Sequence, residues 1–428
     1  MPHGPSGPGK ERIMKKYAAI CMSAALLLCA ACGNQAIPAA SAQPAESFGV
    51  VVPASPIPES VEVSTDSTSE SIGADSTAPE TVTAEEPETE VSASDIDSVG
   101  DPATAETAPE APVFVWRQDT PENQNIDPAA LAQAHETYDT FPLLSAVIVR
   151  NGYVVDAYFK DGYDADTSFI LNSASKSITS ALVGIAIEQG YIESVDVPIA
   201  EYFPQLMERE NPEWQRITLR HLLTHTSGIA TTDEARWDAW RSSENWVDYI
   251  LALPLVSTPG ETFSYSTGNT HLVSAILEQA TGIALYDFGK EVLFDRVGME
   301  SVSIDSDPQG VADGGNNIWM NVYDMARFGL LYLQGGAWAG EQIVPADWVA
   351  QSTSTQFVPG GGRADYGYQW WVRTFGDAAY GAYFAQGHAG QYIIVVPELQ
   401  LVIAFTSDYE GSSSIYWQLV NTIVNGCG

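Results

Sequence analysis

Basic residues are scarce in this chain of 428 residues: 18 Lys and Arg stand against 55 Asp and Glu, giving a formal net charge of −37. That deficit argues against a nucleic-acid partner and against electrostatic attraction to an anionic membrane surface. Cysteine is scarcer still, with four in all. Cys21, Cys29 and Cys32 cluster near one end and Cys427 lies at the other, so no internal disulfide framework is available and the fold must rest on its core. Beyond the first 32 residues no run of eighteen apolar residues occurs, so nothing there has the length of a spanning helix. Ser227 lies in Thr-Ser-Gly rather than Gly-x-Ser-x-Gly, which counts against the α/β-hydrolase nucleophile elbow. No internal repeat is evident.

What is present begins with an address. Met14-Lys15-Lys16 is followed by an apolar run from Tyr17 through Leu28 and then by Cys29-Ala30-Ala31-Cys32-Gly33. A short basic start, an apolar stretch too short to anchor in a bilayer and small residues before a cysteine make an export signal, with Met14 as the expected start. The pattern resembles a bacterial lipoprotein signal, with Cys32 as the lipidated residue. It departs at Cys29, where that pattern usually has Leu; the alternative is an ordinary secretory signal cleaved nearby. Residues 1–32 are thus expected to be the signal, placing the protein in the bacterial cell envelope with a lipid anchor as its membrane contact.

Residues from about Asn34 to Pro112 contain no Lys or Arg and are dominated by Ala, Pro, Ser, Thr, Glu and Asp. Such a segment buries too little apolar surface to offset its ordering entropy, and its charges repel. Residues 33–112 are therefore expected to be a disordered acidic tether, with an interaction tail as the other reading. A folded domain is expected over 113–428, itself acidic, with 14 Lys and Arg against 38 Asp and Glu from Ala111 onward.

The folded part has a recognisable frame. Ser145 to Lys160 reads as two strands joined at Asn151-Gly152, a dipeptide suited to a type I′ turn. Near the far end, Gln391–Val396 and Leu401–Thr406 form a second apolar pair around Pro397-Glu398, followed by a helix from Ser413 to Val424. Strand pairs at both ends of a mostly helical middle predict an α/β (α+β) fold. In it, an antiparallel sheet from both chain ends is flanked by helices and carries a helical subdomain. Tyr366 to Trp371 is expected to be a packed strand. Trp237, Trp240 and Trp246 either line an aromatic cleft or close a core.

The chemistry centres on Ser173-Ala174-Ser175-Lys176, which opens an apolar run from Ile178 to Ile187. Three residues apart on a helix, the hydroxyl and the amine share one face. Ser173 would gain from the helix N-terminus, and Lys176, desolvated by the turn behind it, could accept the serine proton. The helix has almost no polar face and should be buried all round, with Gly190 as its stop.

Four further stretches accompany it: Ile217 to Gly228, a short helix and its stop; Phe263-Ser264-Tyr265-Ser266-Thr267-Gly268-Asn269, ahead of an amphipathic helix from Leu272 to Gly282; Asp324 to Gly329; and Gly387-His388-Ala389-Gly390-Gln391. Together with Ser173-x-x-Lys176, these resemble the serine β-lactamase and penicillin-binding protein superfamily. The branch is the class C-like one that holds esterases, D-amino-acid peptidases and 6-aminohexanoate-dimer hydrolases.

The resemblance implies a β-lactamase/transpeptidase-like fold and a serine hydrolase working through an acyl-enzyme on Ser173, without metal or organic cofactor. Lys176 and Tyr265 would share the serine proton, the phenol having a pKa depressed by the nearby ammonium. The backbone N–H groups of Ser173 and Gln391 would form the oxyanion hole. Gly390 would let the strand approach the substrate, and His388 and Asn269 would complete the substrate-binding set. Two departures bear on substrate. His388-Ala389-Gly390 replaces Lys-Thr-Gly, and histidine is mostly neutral at pH 7; Thr267 stands where Asn is usual. A small ester or linear amide is the expected substrate. The alternatives are a D-alanyl-D-alanine carboxypeptidase or β-lactamase, and a non-catalytic cell-wall peptide-binding protein that kept only the fold. His221 and His225 have metal-ligand spacing, yet no carboxylate or cysteine cluster accompanies them, so no metal site is expected.

Overall fold

The structure is a computed structural model that describes residues 114–428. The expected signal, the expected lipidation at Cys32 and the expected tether all fall outside the described residues.

Thirteen strands are present among them. β1 is Arg117–Gln118, β2 Leu143–Arg150, β3 Tyr153–Phe159, β4 Phe169–Ile170, β5 Ser303–Ile304 and β6 Ile318–Met320. β7 is Ala337–Trp338, β8 Glu341–Gln342, β9 Asp365–Tyr366, β10 Trp371–Phe375, β11 Tyr380–Gly387, β12 Gln391–Val396 and β13 Leu401–Ser407. The helices that matter here are α1 (Pro128–Thr140), α2 (Ser175–Glu188), α3 (Leu219–Leu223), α4 (Trp237–Arg241), α5 (Trp246–Ala252), α6 (Thr267–Thr281), α7 (Val322–Leu333) and α8 (Ser414–Asn425).

Eight strands form one sheet in the order β1-β3-β2-β13-β12-β11-β10-β9. The two ends of the domain meet in its centre, where β2 pairs antiparallel with β13 and Ile148 faces Ile403. Asn151 and Gly152 turn β2 into β3 with φ of 52° and 78°, the positive pair a type I′ turn needs. One expectation changes. β1 runs parallel to β3, so the sheet is mixed rather than wholly antiparallel.

The central strands are apolar at successive positions because both faces are covered. Val147, Val149, Ile393, Val395 and Val402 point into the larger core with α2, α6 and α7. Their neighbours Ala146, Ile148, Ile394, Val396 and Ile403 point the other way, into a second core closed by α1 and α8. Period-two alternation thus feeds two cores from one sheet.

α2 runs through the larger core, and every residue from Ser175 to Ala186 is buried. Its hydroxyls are satisfied by tying loops to it. Ser177 donates to the carbonyl of Gln369, Thr179 to that of Gly314 and Ser180 to that of Tyr368, each at 2.7 Å. A buried helix thereby pegs the two loops that flank its N-terminus.

Two local expectations are corrected and one open reading is settled. Tyr366 to Trp371 is a break between β9 and β10 rather than one strand, with Gln369 at φ 65°. Its amide bridges elements instead: Nε2 donates to the carbonyl of Leu223 at 3.1 Å, and Oε1 accepts from Thr270. α6 starts at Thr267, five residues before the amphipathic pattern does, and is buried from Thr267 to Leu277. The tryptophans resolve toward core: Trp240 and Trp246 are buried in the larger core, and Trp237 packs against it.

Candidate active site

The 3₁₀ turn Asn172–Ala174 leads straight into α2 and carries Ser173 at its middle. One turn on, Lys176 is only 1% exposed. Its Nζ donates to Ser173 Oγ at 3.0 Å, to Thr267 Oγ1 at 3.1 Å and to the Gly315 carbonyl at 2.7 Å. All three ammonium hydrogens therefore have partners. Burial pulls the amine down to about 8, while the Asp233 and Asp313 carboxylates oppose that shift. The lysine is thus able to shed its proton near neutral pH.

Tyr265 closes the cluster. Lys176 Nζ lies 5.1 Å from its ring centroid, and Ser173 is close enough to the phenol to act on its titration. Trp371 stacks on the ring at 5.9 Å with an interplanar angle of 14°, and the buried His225 ring is 4.4 Å away. The expected depression of the phenol does not occur. Burial outweighs the lowering influence of Ser173, and Asp233 adds to the upward shift, so Tyr265 is held well above its ordinary value. At neutral pH it is a proton donor.

The remaining expected residues scatter, for physical reasons. β11 ends at Gly387, and residues 388–390 form the turn into β12. Gly387 is the residue pressed against the serine turn: a Cβ there would overlap the Leu171 carbonyl and crowd the Ala174 amide. His388 follows it, and its carbonyl accepts from Asn172 Nδ2 at 3.0 Å. The His388 ring is exposed, 3.8 Å from Glu410. Gly390, at φ 95°, faces the Tyr416 hydroxyl rather than a substrate approach. Gln391 is buried in β12, and its Nε2 donates to the Ser407 carbonyl at 2.8 Å. Asn269 is buried within α6, where its Oδ1 accepts from Ser227 at 3.0 Å. Neither Gln391 nor Asn269 contacts Ser173 or Lys176 through a hydrogen bond described for its side chain.

Several residues at the site had no motif to announce them. Thr267 holds the place two after Tyr265, and the missing Asn there was its only signal. Asp233 accepts from the Thr267 amide at 3.0 Å and from Thr267 Oγ1 at 3.2 Å. The loop carrying Gly315 is braced by the buried Asp313 carboxylate, which pairs with Arg241 of α4. His221 and His225 serve local structure: Nδ1 of His221 accepts from the Thr218 amide, and Nδ1 of His225 accepts from the Ser266 amide.

A serine hydroxyl bonded to a desolvated lysine, with a protonated tyrosine beside them, is an arrangement able to activate a nucleophile. The beta-lactamase family model matches residues 130–415, more than half of the chain. The chain belongs to the beta-lactamase family. Within that family it is 24% identical over 296 residues to the 6-aminohexanoate-dimer hydrolase of Paenarthrobacter ureafaciens, covering 63% of this chain and 74% of that enzyme. It is 29% identical over 186 residues to the D-aminopeptidase of Cereibacter sphaeroides, covering 39% of this chain and 34% of that one. A solved class C beta-lactamase superposes with a TM-score of 0.56 at 15% identity, over 69% of this chain and 93% of the other, a likeness of fold. This family member is a serine hydrolase acting on amide or ester bonds.

Proposed function

We propose that the protein cleaves a small ester or linear amide through an acyl-enzyme on Ser173. The observation that carries this is the 3.0 Å hydrogen bond between Ser173 Oγ and the fully buried Lys176 amine. Neutral Lys176 takes the proton as Ser173 Oγ attacks the carbonyl carbon. Negative charge on the carbonyl oxygen is met by the Ser173 N–H and, in place of Gln391, by the N–H of His388, the residue after the glycine that presses on the serine turn. As the intermediate collapses, the C–N or C–O bond breaks. Tyr265 donates its phenolic proton to the departing amine or alcohol, and the lysine ammonium returns a proton to the tyrosine. Water then attacks the acyl carbon by the reverse proton path.

The exposed His388, with Glu410 near it, gives the third motif no fixed cation, which favours uncharged acyl groups over carboxylate-bearing ones. The deciding experiment is p-nitrophenol release from p-nitrophenyl acetate by the full chain and by Ser173→Ala. Turnover by the parent and none by the variant supports the reading. Acylation by benzylpenicillin faster than by the ester would favour a carboxypeptidase or β-lactamase instead. We further propose export and a lipid anchor at Cys32, supported by the signal pattern; loss of membrane association in Cys32→Ser cells tests it.

A further inference from the structure

The contacts around Lys176 differ in one respect that bears on catalysis: the direction in which each can donate. The Gly315 carbonyl only accepts, at 2.7 Å. The Thr267 hydroxyl can do both, but it donates to Asp233 Oδ2 at 3.2 Å and so presents a lone pair to Lys176 at 3.1 Å. The other oxygen of Asp233 is held in turn, accepting from the Thr267 amide at 3.0 Å and from Thr232 Oγ1 at 3.2 Å. The carboxylate can donate nothing back.

Losing a proton leaves the lysine with two N–H bonds and one lone pair. Gly315 and Thr267 each require an N–H. The lone pair is left facing the third partner, Ser173 Oγ, at 3.0 Å. Resting on the reading of Ser173 as nucleophile and Lys176 as base, we propose that Asp233 is a positioning residue: through the Thr267 hydroxyl it fixes the neutral lysine's lone pair on Ser173. The lysine base is aimed as well as desolvated.

Asp233→Asn reverses the direction with little change of shape. The Thr267 amide can only donate, so the Asn oxygen turns to it and the Asn NH₂ faces Thr267 Oγ1. The hydroxyl proton, released from the carboxylate, is then free to point at the lysine and compete with Ser173 for the lone pair. The charged and titratable neighbours of Lys176 are Asp233, Asp313, His225 and Tyr265. Removing the Asp233 charge alone would ease deprotonation and move the acidic limb of the rate profile to lower pH.

The test is the pH profile of p-nitrophenyl acetate hydrolysis, together with the rate at which a fluorophosphonate labels Ser173, read by intact mass. Asp233→Asn, Thr267→Val, Thr267→Ser and Ser173→Ala are compared with the parent, with melting temperatures alongside. Expected are a plateau rate and a labelling rate about 10- to 100-fold lower for Asp233→Asn and for Thr267→Val. Thr267→Ser should regain most of what Thr267→Val loses. An Asp233→Asn limb that shifts to lower pH with the plateau intact overturns the proposal, because Asp233 would then act only as a charge. Thr267→Ser as slow as Thr267→Val, with both folded, overturns it as well. Full turnover by Ser173→Ala overturns the nucleophile and the relay together. An inert Ser173→Ala beside a parent-like Asp233→Asn overturns the relay alone.

Discussion

Gly387 and Leu171 pack so closely that a methyl group on the first would overlap the carbonyl oxygen of the second. The end of β11 is thereby pressed onto the turn that presents Ser173. Gly387→Ala must push the strand and the turn apart, and a displacement of about 1 Å between reacting groups costs roughly 100-fold in rate. We expect a kcat about 100-fold below the parent. The melting curve should show about 1–3 kcal/mol of lost stability from overpacking. Parent-like activity in Gly387→Ala would show that the strand end does not set the geometry of the serine turn.

Lys176 predicts the shape of the rate profile. Its amine is lowered from 10.5 to about 8, first by burial. Only the neutral form accepts a proton, so kcat/KM should fall about tenfold per pH unit well below 8 and level off above it. Lys176→Arg, charged at every accessible pH, should be inactive throughout. Stability follows the same group. Between about pH 8 and 10.5 the unfolded chain holds the lysine proton and the folded one does not, so this group's contribution to stability rises with pH across that window. Stopped-flow profiles from about pH 5 to 10 and urea midpoints from about pH 7 to 10.5 check the two statements.

The serine and lysine were legible because three residues on a helix leave no freedom: spacing is geometry there. The hairpin at Asn151-Gly152 and the meeting of the chain ends were legible for the same local reason. Gln391 is a different case. β11 stops at Gly387 and three residues turn before Gln391 opens β12, which is why the second oxyanion donor we propose is the N–H that follows Gly387. Where a strand ends depends on its neighbours, and the motif does not carry that. The placing of Asn269 has a related cause: α6 begins at Thr267, which turns a side chain two residues further on into the core toward Ser227. The Tyr265 phenol was misjudged because burial by Trp371, His225 and Tyr366 is a property of packing that no linear pattern near Tyr265 records.

Arg241 and Asp313 offer a stability test that also reaches the site. The Asp313 carboxylate is fully buried and paired with the Arg241 guanidinium, which lies 3.8 Å over the Trp246 ring. Arg241→Met leaves a buried charge without its partner, at a cost of about 3–5 kcal/mol. The same loop carries the Gly315 carbonyl that holds Lys176, so activity should fall with stability. Adding Asp313→Asn should restore part of the melting temperature. A double variant no better than Arg241→Met would mean that lost packing on Trp246 accounts for the damage.

Trp371 tests whether the phenol needs its wall. The indole stacks on Tyr265 nearly parallel, and Tyr366 meets the same indole edge-on at 4.6 Å. A stacked aromatic pair contributes about 0.5–1.5 kcal/mol beyond its buried area. Trp371→Ala therefore loosens the ring that must deliver a proton to the leaving group, and water enters beside it. We expect kcat for an amide substrate to fall about 3- to 10-fold. For a p-nitrophenyl ester, whose leaving group departs without protonation, the loss should be smaller. Trp371→Phe keeps a stacked face and should stay near the parent on both. Equal losses on amide and ester in Trp371→Ala would indicate that the indole shapes substrate binding, and that Tyr265 delivers its proton without help from the wall.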